Sequence, residues 1–204
     1  MYSAVVVNFL KMYDEVYNGF TETWMSNFGK VVPGSTNNLI FSYNDEFLLC
    51  AGYIPASEQY AESTFNSYNV AFSLINNLNF PKIFRMWNFI PGINSENNAG
   101  LEVYRDFCYG RAKAFEQSYA AEWGMPAATG IGTLGHEICF YFIACRNSEI
   151  NYIENSRQVP AYQYPQKYGP KSPSFARATN LTEKKSIISN EFTFCIRNRQ
   201  HIGA

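Results

Sequence analysis

The sequence predicts an α+β fold, in which one β-sheet carries helices on one of its faces. Three observations support this prediction. Hydrophobic residues make up 47% of the 204 residues and charged residues 16%, a composition that forms a core. Two amphipathic helix patterns alternate with β-rich runs. The run at 138–145 is apolar at both alternating sets of positions, which is typical of a strand covered on both faces.

The first elements of the sheet are predicted to be a hairpin. Residues 39–43 and 46–52 are two β-rich runs, and Asn44-Asp45 between them is a short turn dipeptide. The preceding residues, 1–37, mix apolar side chains with few turn signals. We expect them to form an irregular leader that contains a strand or a helix.

A helix is predicted to follow the hairpin. Ser57 offers an N-cap and Glu62 lies in an early turn, where acidic side chains favour the helix. The pattern ends before Pro81, which cannot continue a helix. The apolar stripe of this helix comprises Ala61, Phe65, Tyr68, Phe72 and Ile75.

The same alternation is predicted to continue to a last strand. A β-rich run at 82–90 is followed by a second helix at 101–121 and, after a glycine-containing stretch at 129–133, by a strand at 136–146. The two helices can cover one face of that strand, so its other face is expected to meet a second domain or subunit. The buried stripe of the second helix comprises Leu101, Tyr104, Cys108, Ala112, Phe115 and Tyr119.

Arg111 falls on the buried stripe of the second helix, between Cys108 and Phe115. Two interpretations are open. The guanidinium extends past the rim of the stripe into water, or it pairs with a buried anion, because an unpaired buried charge is costly.

Residues 156–178 form a proline-rich stretch that no helix can occupy. One interpretation is a stiff tie laid over a neighbouring domain. The other is a rigid loop that presents tyrosine hydroxyls and arginine guanidinia to a small anionic ligand. Its prolines and aromatic residues are Pro160, Tyr162, Tyr164, Pro165, Tyr168, Pro170, Pro173 and Phe175.

Composition argues against several classes of protein. The formal net charge is −1 and the charges form no long runs, so neither a nucleic acid nor a membrane is predicted as a partner. No apolar run can span a bilayer, and the N-terminus lacks the basic region of a signal peptide, so a cytoplasmic protein is expected. Five cysteines without a CxxC pair and two histidines, His136 and His201, predict no metal site and no cofactor.

Four separated blocks of sequence indicate a family. They are RMWNFIPGIN at 85–94, LEVYRDFCYGRAKAF at 101–115, PAATGIGT at 126–133 and the long ENSRQVPAYQYPQKYGPKSPSFARA at 154–178. Together they resemble the chorismatases, enzymes that release pyruvate from chorismate. The resemblance covers most of the chain from about residue 39 onward.

This resemblance implies two RidA/YjgF-like units, each a hairpin-helix-strand-helix-strand sheet with helices on one face. It divides the chain into a leader at 1–37, an N-terminal RidA/YjgF-like domain at 38–147, a proline- and tyrosine-rich connector at 148–172, and the start of an incomplete second unit at 173–204. A homotrimer, or a complementing C-terminal chain, is the expected assembly.

The resemblance also implies a substrate and a reaction. The family hydrolyses the enol ether of chorismate to pyruvate and a cyclohexadiene or hydroxybenzoate carboxylate, with arginines and tyrosines holding the carboxylates. Trp87 and Asn88 are expected to be structural neighbours of the site. The residues of the matching blocks that are expected to bind substrate are Arg105, Arg111, Tyr162, Tyr164 and Arg177.

The general acid of the family is a glutamate in the second unit. Glu183 and Glu191 lie in the wrong part of that unit and are better interpreted as residues of solvated turns, so no catalytic residue is assigned. We therefore expect this chain to be inactive alone. The alternatives are a non-catalytic RidA-like module that binds a small cyclic carboxylate, or an inactive remnant.

Overall fold

The computed structural model describes residues 3–8, 21–26, 29–119, 121–165 and 171–182. Within these ranges the strands are β1 (Ser3–Asn8), β2 (Thr21–Ser26), β3 (Val32–Thr36), β4 (Leu39–Tyr43), β5 (Phe47–Ile54), β6 (Lys82–Pro91), β7 (Ala127–Thr133), β8 (Ile138–Cys145), β9 (Glu149–Ile153) and β10 (Ala178–Thr182). The α-helices are α1 (Ala61–Asn77) and α2 (Val103–Ser118).

Six of the strands form the central sheet, in the order β3-β4-β5-β8-β6-β7. Neighbouring strands are antiparallel except β6 and β7, which are parallel and joined through α2. The α+β class and the predicted order of hairpin, helix, strand, helix and strand are confirmed. Because β3 pairs with β4, the sheet begins at Val32, ahead of the domain start predicted at residue 38.

The β4–β5 hairpin has the turn that the sequence predicts. The side-chain oxygen of Asn44 accepts hydrogen bonds from the backbone N–H groups of Glu46, at 2.9 Å, and Phe47, at 2.8 Å. An asparagine that bonds its own following backbone in this way closes a turn locally. The turn therefore needs no distant contact, which explains why the sequence predicts it.

The start of α1 differs from the prediction. Ser57 is not the N-cap, because its hydroxyl donates to the carbonyl of Gln59 at 2.7 Å and α1 begins later, at Ala61. The N–H of Tyr60 at this end donates to the buried carboxylate of Asp106 at 2.5 Å. A side chain from α2 thus serves a backbone group that a local cap would otherwise satisfy.

Strand β7 is also absent from the prediction, which interpreted its glycine-containing residues only as a lead-in to the last strand. Residues Ala127–Thr133 instead run parallel to β6 along the edge of the sheet. Their sequence, AATGIGT, lacks the alternation of large apolar side chains that indicates a strand. The crossover through α2 places this segment beside β6.

The two faces of the sheet are packed differently. In β8, Phe140 and Phe142 point to the side of α1 and α2, whereas Tyr141 and Ile143 belong to a second apolar cluster on the far face. The prediction that β8 is apolar on both faces is therefore confirmed. The far face receives Trp24 of β2, whose ring centroid lies 5.7 Å from that of Trp87. A second domain or subunit on this face stays a prediction.

The last described element is β10, which pairs antiparallel with β9 in a separate two-stranded sheet. The strand pair predicted within 185–196, together with Glu183 and Glu191, lies outside the described residues. In the part of the chain that the structure describes, neither helix is long and apolar enough to cross a membrane.

Candidate ligand-binding site

A cavity of about 340 Å³, including its open mouth, lies between α2, the β6–β7 edge of the sheet and residues 171–177, which we call the strap. Its lining residues come from these three parts of the chain: Tyr104, Phe107, Cys108 and Arg111 from α2; Asn88, Ala128, Thr129 and Gly130 from the sheet; Pro173 and Phe175 from the strap.

Contacts with the domain hold the strap over the cavity. The N–H of Ala176 donates to the carbonyl of Pro126 at 3.0 Å, and the Lys171 ammonium lies 2.7 Å from the carboxylate of Glu116 on α2. Ala176 also pairs with Ala127 at the start of β7. These bonds lay this part of the proline-rich stretch across the domain, in the manner of the predicted tie, and they make it one wall of the cavity.

Arg111 is the charged side chain among the described residues that line the cavity, and it is only 3% exposed. Its guanidinium donates to the carbonyl oxygen of Ser174 in the strap and to the sulfur of Met86, the latter at 3.3 Å. The faces of two rings complete its surroundings, Phe115 at 4.6 Å and Tyr68 at 5.7 Å. Neutral acceptors and aromatic faces, which attract cations, therefore surround the charge.

The structure argues against the first interpretation of Arg111, and the second, pairing with a buried anion, stays a prediction. The guanidinium is too deeply buried to extend into water, and no acidic side chain in the described ranges forms an ion pair with it. Its Nε atom is buried and has no hydrogen-bond partner among the described residues. A guanidinium carries five N–H donors in a planar fork, so donors remain for a ligand. A carboxylate is the group that this fork binds with two parallel hydrogen bonds.

Asn88 and Tyr68 form a hydrogen-bonded pair next to Arg111. The Asn88 amide donates to the carbonyl of Thr129 at 3.1 Å, and its oxygen accepts a hydrogen bond from the Tyr68 hydroxyl. Burial raises the pKa of Tyr68 to about 12, with the nearby Arg111 opposing that rise, so the hydroxyl stays protonated at neutral pH. Asn88, expected only as a neighbour of the site, thus lines the cavity and positions a ring below the guanidinium.

Tyr104 and Cys108 line the cavity on the same side of α2 as Arg111. They lie one turn apart on α2, at positions i and i+4, which are neighbours on a helix surface. Burial raises the pKa of Cys108 to about 11, opposed by Arg111, and raises the pKa of Tyr104 above its usual range. The sequence places both on the buried stripe without a ligand role. The sequence signal for them is their helical spacing ahead of Arg111, which core residues share.

The other predicted site residues lie outside the cavity lining. Arg177 donates to the hydroxyl of Tyr164, and its guanidinium lies 5.6 Å from the ring centroid of Phe175, which does line the cavity. Arg105 pairs with Glu102 on the surface at 3.0 Å. Tyr162 is 41% exposed. The structure thus brings Tyr164 and Arg177 together beside the strap and separates Arg105 and Tyr162 from the cavity.

No aspartate or glutamate is among the described residues that line the cavity. The polar groups of the lining are a guanidinium, an amide, two hydroxyls and a thiol. This set can bind and orient an anion, but it contains no carboxyl group with a pKa suited to protonating a carbon.

Comparisons with known proteins agree with the geometry. Residues 22–144 match the family described as chorismatase FkbO/Hyg5-like, N-terminal. The chain is 46% identical over 165 residues to a 3-hydroxybenzoate synthase of Streptomyces hygroscopicus, covering 81% of this chain and 48% of that protein. It is 41% identical over 163 residues to a chorismatase of Streptomyces rapamycinicus, covering 80% and 48%.

A solved structure gives the same result. The crystal structure of a chorismatase superposes with a TM-score of 0.73 at 40% sequence identity, covering 78% of this chain and 48% of that one. The chain therefore spans about half the length of the relatives it matches.

Proposed function

Because the chain belongs to the FkbO/Hyg5-like chorismatase family, we propose that its cavity binds chorismate or a closely related cyclic carboxylate through Arg111. One observation carries the proposal. Arg111 is a buried cation that lines a cavity, with an unused Nε–H and no acidic partner in the described part of the chain.

The physical reason is the cost of a buried charge. Neutral acceptors and ring faces lower that cost, yet they leave a net positive charge in a site that excludes most water. A ligand carboxylate supplies the opposite charge and accepts from the remaining donors of the fork. Binding energy at this position thus depends on the ligand being an anion.

The pair formed by Arg177 and Tyr164 gives the proposal a second element. Chorismate is a dicarboxylate, and this pair lies against Phe175 of the strap, beside the cavity. We assign it the second carboxylate. Arg105 and Tyr162, also expected to bind substrate, have no structural argument in their favour and stay predictions.

Hydrolysis of the enol ether needs a general acid, which the described lining does not contain. The proposal places that acid outside the described residues, in the second unit that the sequence predicts for 173–204 and beyond or in a complementing chain. A homotrimeric or complemented assembly, the domain division at 38–147 and 173–204, and a cytoplasmic location belong to this proposal.

A non-catalytic binding module is the second candidate, and the composition of the cavity lining favours it for this chain taken alone. Such a module would bind the carboxylate ligand and release no pyruvate. Pyruvate formation from chorismate, followed through lactate dehydrogenase, separates the two functions. Turnover by this chain supports catalysis, and binding without turnover supports the module.

Calorimetric titration with chorismate tests the binding site itself. Arg111→Met keeps a side chain of similar volume without the charge, and we expect it to weaken binding by about 10- to 100-fold, the loss of charge-assisted hydrogen bonds. Lys113→Gln removes one positive charge from an exposed position of the same helix and should leave binding unchanged. Equal affinities for the wild type and Arg111→Met, with both proteins folded by circular dichroism, would contradict the proposal.

A further inference from the structure

We propose that Tyr104 and Cys108 form the specificity wall of the cavity and select a ligand whose ring carries a neutral hydroxyl group. This inference rests on the proposed function, since it assumes that a carboxylate occupies the donors of Arg111. It concerns the part of the ligand that Arg111 does not hold.

The three side chains follow one another along a single face of α2. A helix rises 1.5 Å per residue, so the Cα atoms of Tyr104 and Arg111 lie about 10 Å apart along the axis, with Cys108 between them. A six-membered ring whose carboxylate meets Arg111 therefore extends beside Cys108 towards Tyr104. The far substituents of the ring meet the hydroxyl and the thiol.

The wall is polar and uncharged. Tyr104 and Cys108 lie one turn apart on α2, and burial, which raises the pKa of both side chains, keeps them protonated at neutral pH. A hydroxyl both donates and accepts, and a thiol does so weakly. A ligand hydroxyl can join this pair as donor or acceptor, whereas a hydrogen atom in its place leaves the half-buried tyrosine without that partner.

The cavity residues on β6 and β7, across from Tyr104 and Cys108, explain why these two side chains would discriminate between ligands. Ala128 and Gly130 of β7 offer no side-chain polar group there, and the Thr129 hydroxyl between them accepts from Arg85. The Asn88 amide is already bonded to Tyr68 and Thr129. Gly130 also fixes the place of the ring. A Cβ atom at this position would lie 3.1 Å from Cε2 of Tyr104, closer than an ordinary contact. Because glycine has no side chain, the Tyr104 ring can pack directly against the backbone at this position.

A second observation indicates that an acceptor is missing near this wall. The Nε atom of Arg111, one turn from Cys108, is buried without a hydrogen-bond partner among the described residues. A buried donor without a partner indicates that an acceptor is missing beside it. The polar wall and the side chain that carries this donor line the same cavity.

Two probes that differ by a single hydroxyl test the inference. Benzoate and 3-hydroxybenzoate both carry a ring carboxylate, and only the second carries a neutral hydroxyl. We expect the wild type to bind 3-hydroxybenzoate about five- to tenfold more tightly, the effect of one neutral hydrogen bond. Tyr104→Phe should abolish this preference and leave benzoate affinity unchanged. Cys108→Ala should reduce the preference about twofold, because a thiol is a weak donor.

Tyr109→Phe is the matched control, since Tyr109 lies on α2 outside the cavity lining, and it should retain the full preference. Equal affinity of the wild type for both probes, or a preference that survives Tyr104→Phe, overturns the specificity wall and leaves the carboxylate site intact. Binding of chorismate without binding of either benzoate overturns the wall as well. If chorismate also fails to bind, the proposed function and this inference both fall.

Discussion

Each face of the central sheet carries an arginine on aromatic rings, and the two arginines differ in how deeply they are buried. On the helix face, Arg111 is 3% exposed and lines a cavity. On the far face, Arg85 is half-buried, donates to the hydroxyl of Thr129 and lies with its guanidinium 5.2 Å from the centroid of the Trp87 ring. Both charges rest on aromatic faces and neither pairs with an acid in the described ranges.

The two arginines differ in their contact with water. Arg85 keeps contact with solvent, which compensates its charge, so its surroundings need no ligand. Arg111 has lost that contact, and a cavity rather than a side chain occupies the space beside it. Burial and an adjacent cavity together, not the aromatic surroundings, therefore distinguish the candidate anion site.

The largest effect should come from truncating the helix face. Phe72 is fully buried, and its ring centroid lies 4.9 Å from that of Phe115. Phe72→Ala should lower the free energy of unfolding by about 3–5 kcal/mol, because it leaves a cavity in a close-packed core. Urea denaturation measures the change.

Truncation of the far face should have a smaller effect. Phe84 belongs to the far-face cluster and is partly exposed, so Phe84→Ala should cost about 1–2 kcal/mol, less than Phe72→Ala. Equal costs would remove the contrast between the faces, because they would mean that the far face is covered as completely as the helix face. Sedimentation at two protein concentrations would then show whether a second copy provides the cover.

A further effect distinguishes the helix face at high pH. Burial raises the pKa of Tyr68 from its usual value near 10 to about 12, so the folded state holds this proton more tightly than the unfolded state. The stabilisation is complete below pH 10 and is lost as the pH rises towards 12. We expect the free energy of unfolding to fall by about 2–3 kcal/mol over that interval from this residue.

Urea denaturation at several pH values provides the measurement. Tyr68→Phe should flatten the slope above pH 10, although it should lower stability at neutral pH because Asn88 loses its donor. Tyr53, which is 43% exposed, is the control, and Tyr53→Phe should keep the wild-type slope. A slope unaffected by Tyr68→Phe would show that other groups cause the pH dependence.

Local signals made much of the fold predictable from the sequence. The hairpin follows from Asn44, whose side chain bonds its own turn, and the two-sided burial of β8 follows from its uninterrupted apolar run. Elements whose position depends on contacts distant in sequence are harder to predict. The start of α1 depends on Asp106, which is 46 residues from Tyr60. Strand β7 depends on a crossover that brings a glycine-rich segment beside β6.

The candidate site was predictable only in part for the same reason. Arg111 stands out as a charge on an apolar stripe, but its acceptors come from elsewhere, Met86 at a separation of 25 residues and Ser174 at 63. No hydrophobic periodicity in the sequence predicts that the strap packs over the cavity. Tyr104 and Cys108 have the spacing of core residues, and only the structure shows that they line a cavity.

Nitrogen-15 spectra of the arginine Nε–H groups give the sharpest test of the anion site, since they observe the orphaned donor itself. The Arg111 signal is assigned by its absence from Arg111→Lys, and that of Arg85 by its absence from Arg85→Lys. On saturation with chorismate, we expect the Arg111 signal to shift and its exchange with water to slow, while the Arg85 signal stays in place. Chorismate binding that moves the Arg85 signal, or leaves that of Arg111 unmoved, would contradict the assignment of the anion site to the helix face.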